Sequence, residues 1–398
     1  MSARGARRRL DRALYAALTR LYRTLFPSAA PRGRLAPAAV RRLLVVRHDA
    51  IGDMAVTLPA LDYLRATLPH AEIDVTASVS NAPLVHGDPR VTRVLVHDGT
   101  RLGWWRLLRT VRARRYDAIV SAIHNPHLRE GLFAALAAGP RTARVTAMRP
   151  KRYVGFFTHV VRVPHSHRPM ARRLLYLAEH AVGDGPGPRV VDVATYPPSV
   201  APHVAAAERI AAFLRQRVGA PFVALNAWGR DPARCFGPTL TAEIAAGLAR
   251  REPATPIVLT PPPGAVTEAE AVVAAVRMRD DVPAEARLVV APAAALGDLI
   301  ELLRRAALVV TPDTANVHLA SALGVPVVSV HTPLTADVAV WGPWNAPHRT
   351  VVLAERRPLR EVAAEDVLAA VAALREALAQ GSRRTIASGA AMSGRVDA

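Results

Sequence analysis

The chain has 398 residues, of which 51% are hydrophobic and 21% charged, enough apolar material for two domains of roughly 100–200 residues and too much for a mainly disordered protein. A single cysteine, Cys235, excludes a disulfide framework or a multi-cysteine metal centre, and no apolar run reaches the roughly 18–20 residues of a membrane span. The formal charge is +20, yet Lys151 is the lone lysine and arginine is spread throughout, so compositional bias weakens a nucleic-acid reading that no recognition motif supports.

Half of that excess lies at the N-terminus, where residues 1–42 hold eleven arginines and one acid, Asp11. Residues 7–26 (RRRLDRALYAALTRLYRTLF) place Leu10, Leu14, Leu18, Leu21, Tyr22 and Leu25 on one side of a helix. Arg9, Arg12, Arg20 and Arg23 fall on the other, and Pro27 with SAAPRG ends the pattern. Such a helix suits an anionic membrane surface, leucines inserted and arginines at the headgroups. It suits equally well a helix packed on the protein's own surface. With no signal-peptide pattern, the expected location is cytoplasmic.

From residue 43 short apolar strands alternate with amphipathic helices. LLVV (43–46) reads as a buried strand, RHDAIGD as the turn after it, and 54–69 as a helix. Strands at 72–78, 91–98 and 116–123 follow, with a helix over 104–115. Glycine and proline crowd 183–202, which reads as a linker. The second series runs strand 222–228, helix 239–251, strand 256–263, helix 266–279, strand 286–292 and helix 297–306. It continues through strand 307–313, helix 314–323 and strand 325–330. A last helix, 362–380, is expected to stop at Gly381, with a disordered tail beyond.

This alternation predicts an α/β protein with two doubly wound parallel sheets. The expected divisions are an arm (1–40), an N-terminal Rossmann-like domain (41–190), a linker (191–205), a C-terminal Rossmann-like domain (206–355), a closing helix (356–381) and the tail (382–398). Neither G-x-G-x-x-G after a first strand nor G-x-x-x-x-G-K-[ST] occurs, which disfavours a dinucleotide oxidoreductase and a P-loop NTPase.

In such folds ligands bind beyond the carboxyl ends of the strands, so the loops there carry the chemistry. Gly52-Asp53 lies where the first strand gives way to its helix, glycine permitting a tight turn. The Asp53 carboxylate either takes a proton from a hydroxyl, as a general base, or simply caps the helix. Asp49 reads as a solvated loop residue or a supporting partner. In TPDTANVHLASALG (311–324), Asp313 and Thr314 end a strand and cap a helix whose free N–H groups suit a diphosphate. His318 reads as a site residue or as a satisfied helix histidine. The histidines of HNPH (124–127) and HSH (165–167), with His159, have no carboxylate at ligand spacing, so no metal is expected. Basic, aromatic-containing 149–173 fits a loop facing acidic sugars or a merely solvated one. Cys235 has no partner base and reads as structural.

Two segments, LLVVRHDAIGDMAVTLPALDYLRATLPHAEIDV (43–75) and LGDLIELLRRAALVVTPDTANVHLASALGVPVVSV (296–330), with WGPW (341–344) after the second, together resemble glycosyltransferase family 9. These are the ADP-heptose:lipopolysaccharide heptosyltransferases, and the resemblance extends from about 43 to 380. It implies a GT-B fold: two facing Rossmann-like domains, the first for the acceptor and the second for a nucleotide-sugar donor. It implies inverting transfer with Asp53 as base, Gly52 and Arg47 in the acceptor-side loop, and no cofactor. On the donor side it puts Asp313 at the sugar hydroxyls, Thr314 and Ala315 at the phosphates, and His318 one turn on. The basic residue that pairs with the phosphates falls on Arg234, with Arg230 next; the plain alternative is a surface arginine.

The sequence departs from the family at two places. Ala315 stands where glycine is usual, and Cys235-Phe236 where Trp-Pro is usual. The expected reaction moves a sugar, heptose from ADP-heptose, onto a lipopolysaccharide core or similar lipid-linked glycan at the inner face of the cytoplasmic membrane. The departures leave open a different nucleotide sugar, or a catalytically silent GT-B-type protein that binds nucleotide or glycan.

Overall fold

Short runs of Val, Leu, Ile and Ala that are apolar on both faces form parallel sheets covered by helices on each side, and this chain contains two. A computed structural model describes residues 33–392 except 124–127, 148–155, 197, 220, 293–294, 334–336 and 354, with backbone alone for 381–392. In the arm it describes 13, 14, 16–18, 20, 21 and 24. The chain divides into units 1–201 and 202–398.

The first unit runs β1 (Arg42–Val46), α1 (Ile51–Ala55), α2 (Leu58–Thr67), β2 (Glu72–Ser78), β3 (Arg93–His97), α3 (Arg101–Arg114), β4 (Ala118–Ser121), α4 (Leu128–Ala137), β5 (Ala143–Ala147), β6 (His159–Val161) and α5 (Met170–Ala181). All six strands are parallel, in the order β3-β2-β1-β4-β5-β6. The winding therefore reverses between β1 and β4, which opens a crevice at their carboxyl ends. On one face Leu44, Val46 and Ile119 pack with Leu107 and Val111 of α3 and Phe133 of α4, each such burial contributing about 1.5–3 kcal/mol.

Several elements differ from the sequence reading. The helix expected over 54–69 is two helices, because Pro59 in the first turn of α2 has no N–H for the Ala55 carbonyl. β5 and β6 were not foreseen: β5 mixes Arg144 and Thr146 with small residues, and β6 is a three-residue edge strand. Part of 149–173, read as a loop, is β6 and the start of α5. HNPH lies outside the described residues. The described arm positions are helical, with Leu18 packed on the core around Phe133 and Leu14 and Leu21 exposed.

The second unit runs α6 (Val204–Arg217), β7 (Val223–Leu225), α7 (Gly237–Arg251), β8 (Ile257–Leu259), α8 (Val266–Arg277), β9 (Leu288–Val290), α9 (Leu296–Leu303), β10 (Leu308–Pro312), α10 (Ala315–Leu323), β11 (Val327–His331), α11 (Val338–Trp341), β12 (His348–Val352) and α12 (Ala364–Met392). Its sheet, β12-β11-β10-β7-β8-β9, is again wholly parallel and reverses between β7 and β10. The half-polar edge strand β12 was not foreseen. Ile244 and Leu248 of α7, Val272 of α8 and Leu368 and Val371 of α12 share one core. A Cβ at Gly247 would lie 2.3 Å from Leu368, so glycine sets how closely α7 and α12 approach. The stop expected at Gly381 is absent, and the unpatterned stretch after it is helical to Met392. A glycine ends a helix where it turns left-handed, as Gly324 does after α10 at φ 69°.

Glu179 of α5 is 7% exposed, and burial pushes its carboxyl up to about 7 against the pull of Arg34. A raised carboxyl binds its proton more tightly in the fold than in the unfolded chain, so stability falls as pH rises from about 4.5 to about 7. Glu179→Gln removes that loss. Its melting temperature should match the wild type's near pH 4 and exceed it near pH 8; equal melting at the higher pH would contradict the assignment.

Candidate functional site

Immediately after β1 comes Arg47, whose side chain is wholly buried. Its Nε donates to the Asp53 carbonyl at 2.7 Å and its Nη1 to the Ala122 carbonyl at 2.5 Å. Nη1 also meets Asp49 Oδ2, and Nη2 meets Asp53 Oδ1, each at 3.1 Å. Because Ala122 follows β4, one side chain joins the two strands between which the winding reverses. A guanidinium cannot shed its charge, so its burial requires partners of this kind.

Asp53 occupies the first turn of α1. Its Oδ2 accepts from the Ala50 N–H at 3.3 Å, so it caps the helix while its side chain remains 21% exposed. Gly52 does not make the turn through unusual backbone freedom; it is buried inside α1, and the extended Ala50 (φ −94°, ψ 169°) turns the chain. Asp49 is a partner of Arg47, with its side chain 29% exposed. Burial pushes its carboxyl up to about 6, against the pull of Arg47 and with the charges of Asp53 and Glu130 adding. Its Oδ1 has no hydrogen-bond partner among the described residues. Nearby, His48 packs 5.7 Å from His97 and is lowered to about 4, by burial first and then by His97, Arg129 and Arg47. His97 touches Arg129. Neither histidine stood out in the sequence, because β1 and β3 meet only through the sheet.

At the second reversal Asn226, after β7, plays the part of Arg47. Its Nδ2 donates to Thr311 Oγ1 at 3.0 Å and to Thr314 Oγ1 at 3.2 Å. Thr314 caps α10 by accepting from the Asn316 N–H at 3.4 Å, and Ala315 is the first residue of that helix. Asp313 is 3% exposed. Arg234, on a short 3-10 turn (Pro232–Arg234), reaches it with Nη1 3.4 Å from Oδ2. Arg230 is exposed. His318 is buried, one turn along α10, edge-on to Trp341 at 5.8 Å. Cys235 Sγ accepts from the Gly229 N–H at 3.2 Å, a structural contact.

His331 was missed by ending a strand at residue 330. Pro312 pairs with Val330, so the next residues, Asp313 and His331, stand side by side, with Nδ1 3.8 Å from Oδ1. Burial lowers the pKa of His331, the charge of Asp313 opposing. The first cluster thus offers proton-accepting carboxylates. The second offers an arginine, hydroxyls and helix N–H groups for an anion, beside a buried carboxylate.

Residues 104–372 match the family model of glycosyltransferase family 9 (heptosyltransferase); the match begins within α3, so the β1 loop precedes it. No curated protein matches the chain. Among solved structures it is similar to a glycosyl transferase family 9 protein from Veillonella parvula, at 18% identity over 86% of this chain and 99% of that one, TM-score 0.70. It is similar to the E. coli ADP-heptose LPS heptosyltransferase II at 19% identity, 84% and 98% coverage and TM-score 0.65. For E. coli heptosyltransferase WaaC with ADP the values are 17%, 84%, 99% and 0.62. At these identities the likeness is one of fold, the GT-B fold of two parallel six-stranded sheets with flanking helices.

Proposed function

Because the chain belongs to glycosyltransferase family 9, and is therefore a glycosyltransferase, we propose that it transfers heptose from ADP-heptose, with inversion, to a lipopolysaccharide core or similar glycan. The observation that carries this reading is the division of chemistry between the two reversals: carboxylates after β1, and an arginine with a capped helix start after β10. The similar WaaC structures contain ADP and ADP-2-deoxy-2-fluoro heptose, which supports the choice of donor.

In this reading the acceptor oxygen attacks the anomeric carbon while its proton passes to Asp53. The bond from that carbon to the diphosphate oxygen breaks, and the diphosphate leaves with the electron pair. Arg234 and the first N–H groups of α10 take up the developing negative charge, Thr314 and Ala315 flank the phosphates, and Asp313 orients the sugar hydroxyls. His318 supports α10 one turn on. The Ala315 methyl narrows the approach of phosphate to backbone.

A lipid-linked acceptor gives the arm a purpose, at the inner face of the cytoplasmic membrane. Leu14 and Leu21 are exposed beside Arg20, a pairing suited to anionic lipid. Among the described residues no helix is long and apolar enough to cross a membrane.

Three outcomes test the proposal. Asp53→Ala should lower turnover by about 10²–10⁴-fold while ADP-induced thermal stabilisation stays unchanged; wild-type turnover in that variant would remove Asp53 from the role of base. Of ADP, GDP, UDP and CDP, ADP should raise the melting temperature most, since stabilisation follows affinity; a preference for another nucleotide would reject ADP-heptose. Deleting residues 1–32, which spares the folded Arg34, Leu35 and Val40, should sharply reduce sedimentation with anionic liposomes without altering the ADP shift, and undiminished sedimentation would make the arm structural.

A further inference from the structure

Two carboxylates share one cation in the loop after β1. Arg47 spends Nε and part of Nη1 on the carbonyls of Asp53 and Ala122, which leaves one contact each for Asp49 and Asp53. The two contacts are equally long, 3.1 Å, yet the carboxylates are not equally served. Asp53 has the Ala50 N–H on its second oxygen. The second oxygen of Asp49 is buried with no hydrogen-bond partner among the described residues. The backbone of Asp49 is fixed as well, its carbonyl accepting from Ser78 Oγ at 3.0 Å and from Asn81 Nδ2 at 3.4 Å.

From this geometry we infer that Asp49 is a positioning residue for the base: its charge governs how Arg47 is divided between the two carboxylates, and so how strongly Asp53 accepts a proton. The inference rests on Asp53 being the base. With Asp49 neutral, the whole guanidinium charge falls on Asp53 and weakens it as an acceptor. With Asp49 ionised, the cation is shared and a second negative charge stands close to Asp53, which strengthens it. Like charges around one cation titrate as a unit. The groups facing Asp49 are Arg47 at the end of β1, Asp53 on α1 and Glu130 on α4. Beside them lie His48, His97 and Arg129. Burial and the two like charges bring the Asp49 carboxyl to about 6, so it changes charge within reach of neutral pH. His48, at about 4, does not. The sequence left Asp49 as a solvated loop residue or a supporting partner, since neither its neighbours nor its spacing reveals the shared cation.

The test is the pH profile of kcat/KM, followed as ADP released from ADP-heptose with a heptose-free lipopolysaccharide core as acceptor. Wild-type protein should lose activity on the acid side with a midpoint near 6. In Asp49→Asn that limb should move to lower pH, with kcat near pH 8 reduced roughly tenfold by the weaker base and the ADP thermal shift unchanged. Asp49→Glu should restore the limb, and Asp49→Ser repeats the Asn experiment should that variant not fold. His97→Gln should keep the limb, which separates Asp49 from the histidine that packs on His48.

An unmoved limb in Asp49→Asn, or a moved one in His97→Gln, overturns the inference while leaving Asp53 as base. Activity lost in Asp49→Asn as fully as in Asp53→Asn, at every pH, overturns it in favour of Asp49 itself accepting the proton. Wild-type rates in Asp53→Asn would instead overturn the underlying reading of the base.

Discussion

The structure turns on a constraint at the point where a doubly wound sheet reverses. Helices leave neighbouring strands there towards opposite faces, and the carboxyl ends of those strands are left with polar backbone that needs partners. One side chain answers this in each unit. Arg47 links the end of β1 to the Ala122 carbonyl after β4, and Asn226 links the end of β7 to Thr311 on β10.

The identity of that side chain sorts the chemistry of the two units. A buried guanidinium needs carboxylates or carbonyls around it, and at the first reversal Asp49 and Asp53 supply the carboxylates. Its two carboxylates compete for a single cation. A neutral amide asks less, and Asn226 gathers the hydroxyls of Thr311 and Thr314, leaving Asp313 and Arg234 to set the charge. In the proposed function the first reversal receives a proton and the second holds an anion.

The same contacts tie function to stability. Removing one member of a buried ion pair costs about 3–5 kcal/mol, because the other charge is left uncompensated, a large part of what holds a domain folded. Arg47 thus belongs to the core as much as to the site. Asp53 likewise caps α1 and presents a carboxylate at once, so the capping and catalytic readings of one residue are compatible.

The sequence by itself determined the alternation of strand and helix, the two sheets, and the loops that hold Asp53, Asp313, Thr314 and Arg234. Those features are local, carried by period, punctuation and the place of a loop after a strand. It fared worse with β5, β6 and β12, whose polar or short sequences lack a clear period, and with Pro59, which breaks a helix that periodicity alone continues. Only the tertiary structure decided that Asp49 shares the Arg47 guanidinium with Asp53, that His331 stands beside Asp313, and that Gly52 sits within a helix. The charge of a side chain depends on what surrounds it, and here the partners are remote: Ala122 lies 75 residues from Arg47, and Thr311 lies 85 from Asn226. Parallel strands bring such residues together because each crossover returns the chain to the same end of the sheet, and no local pattern records which residues will meet there.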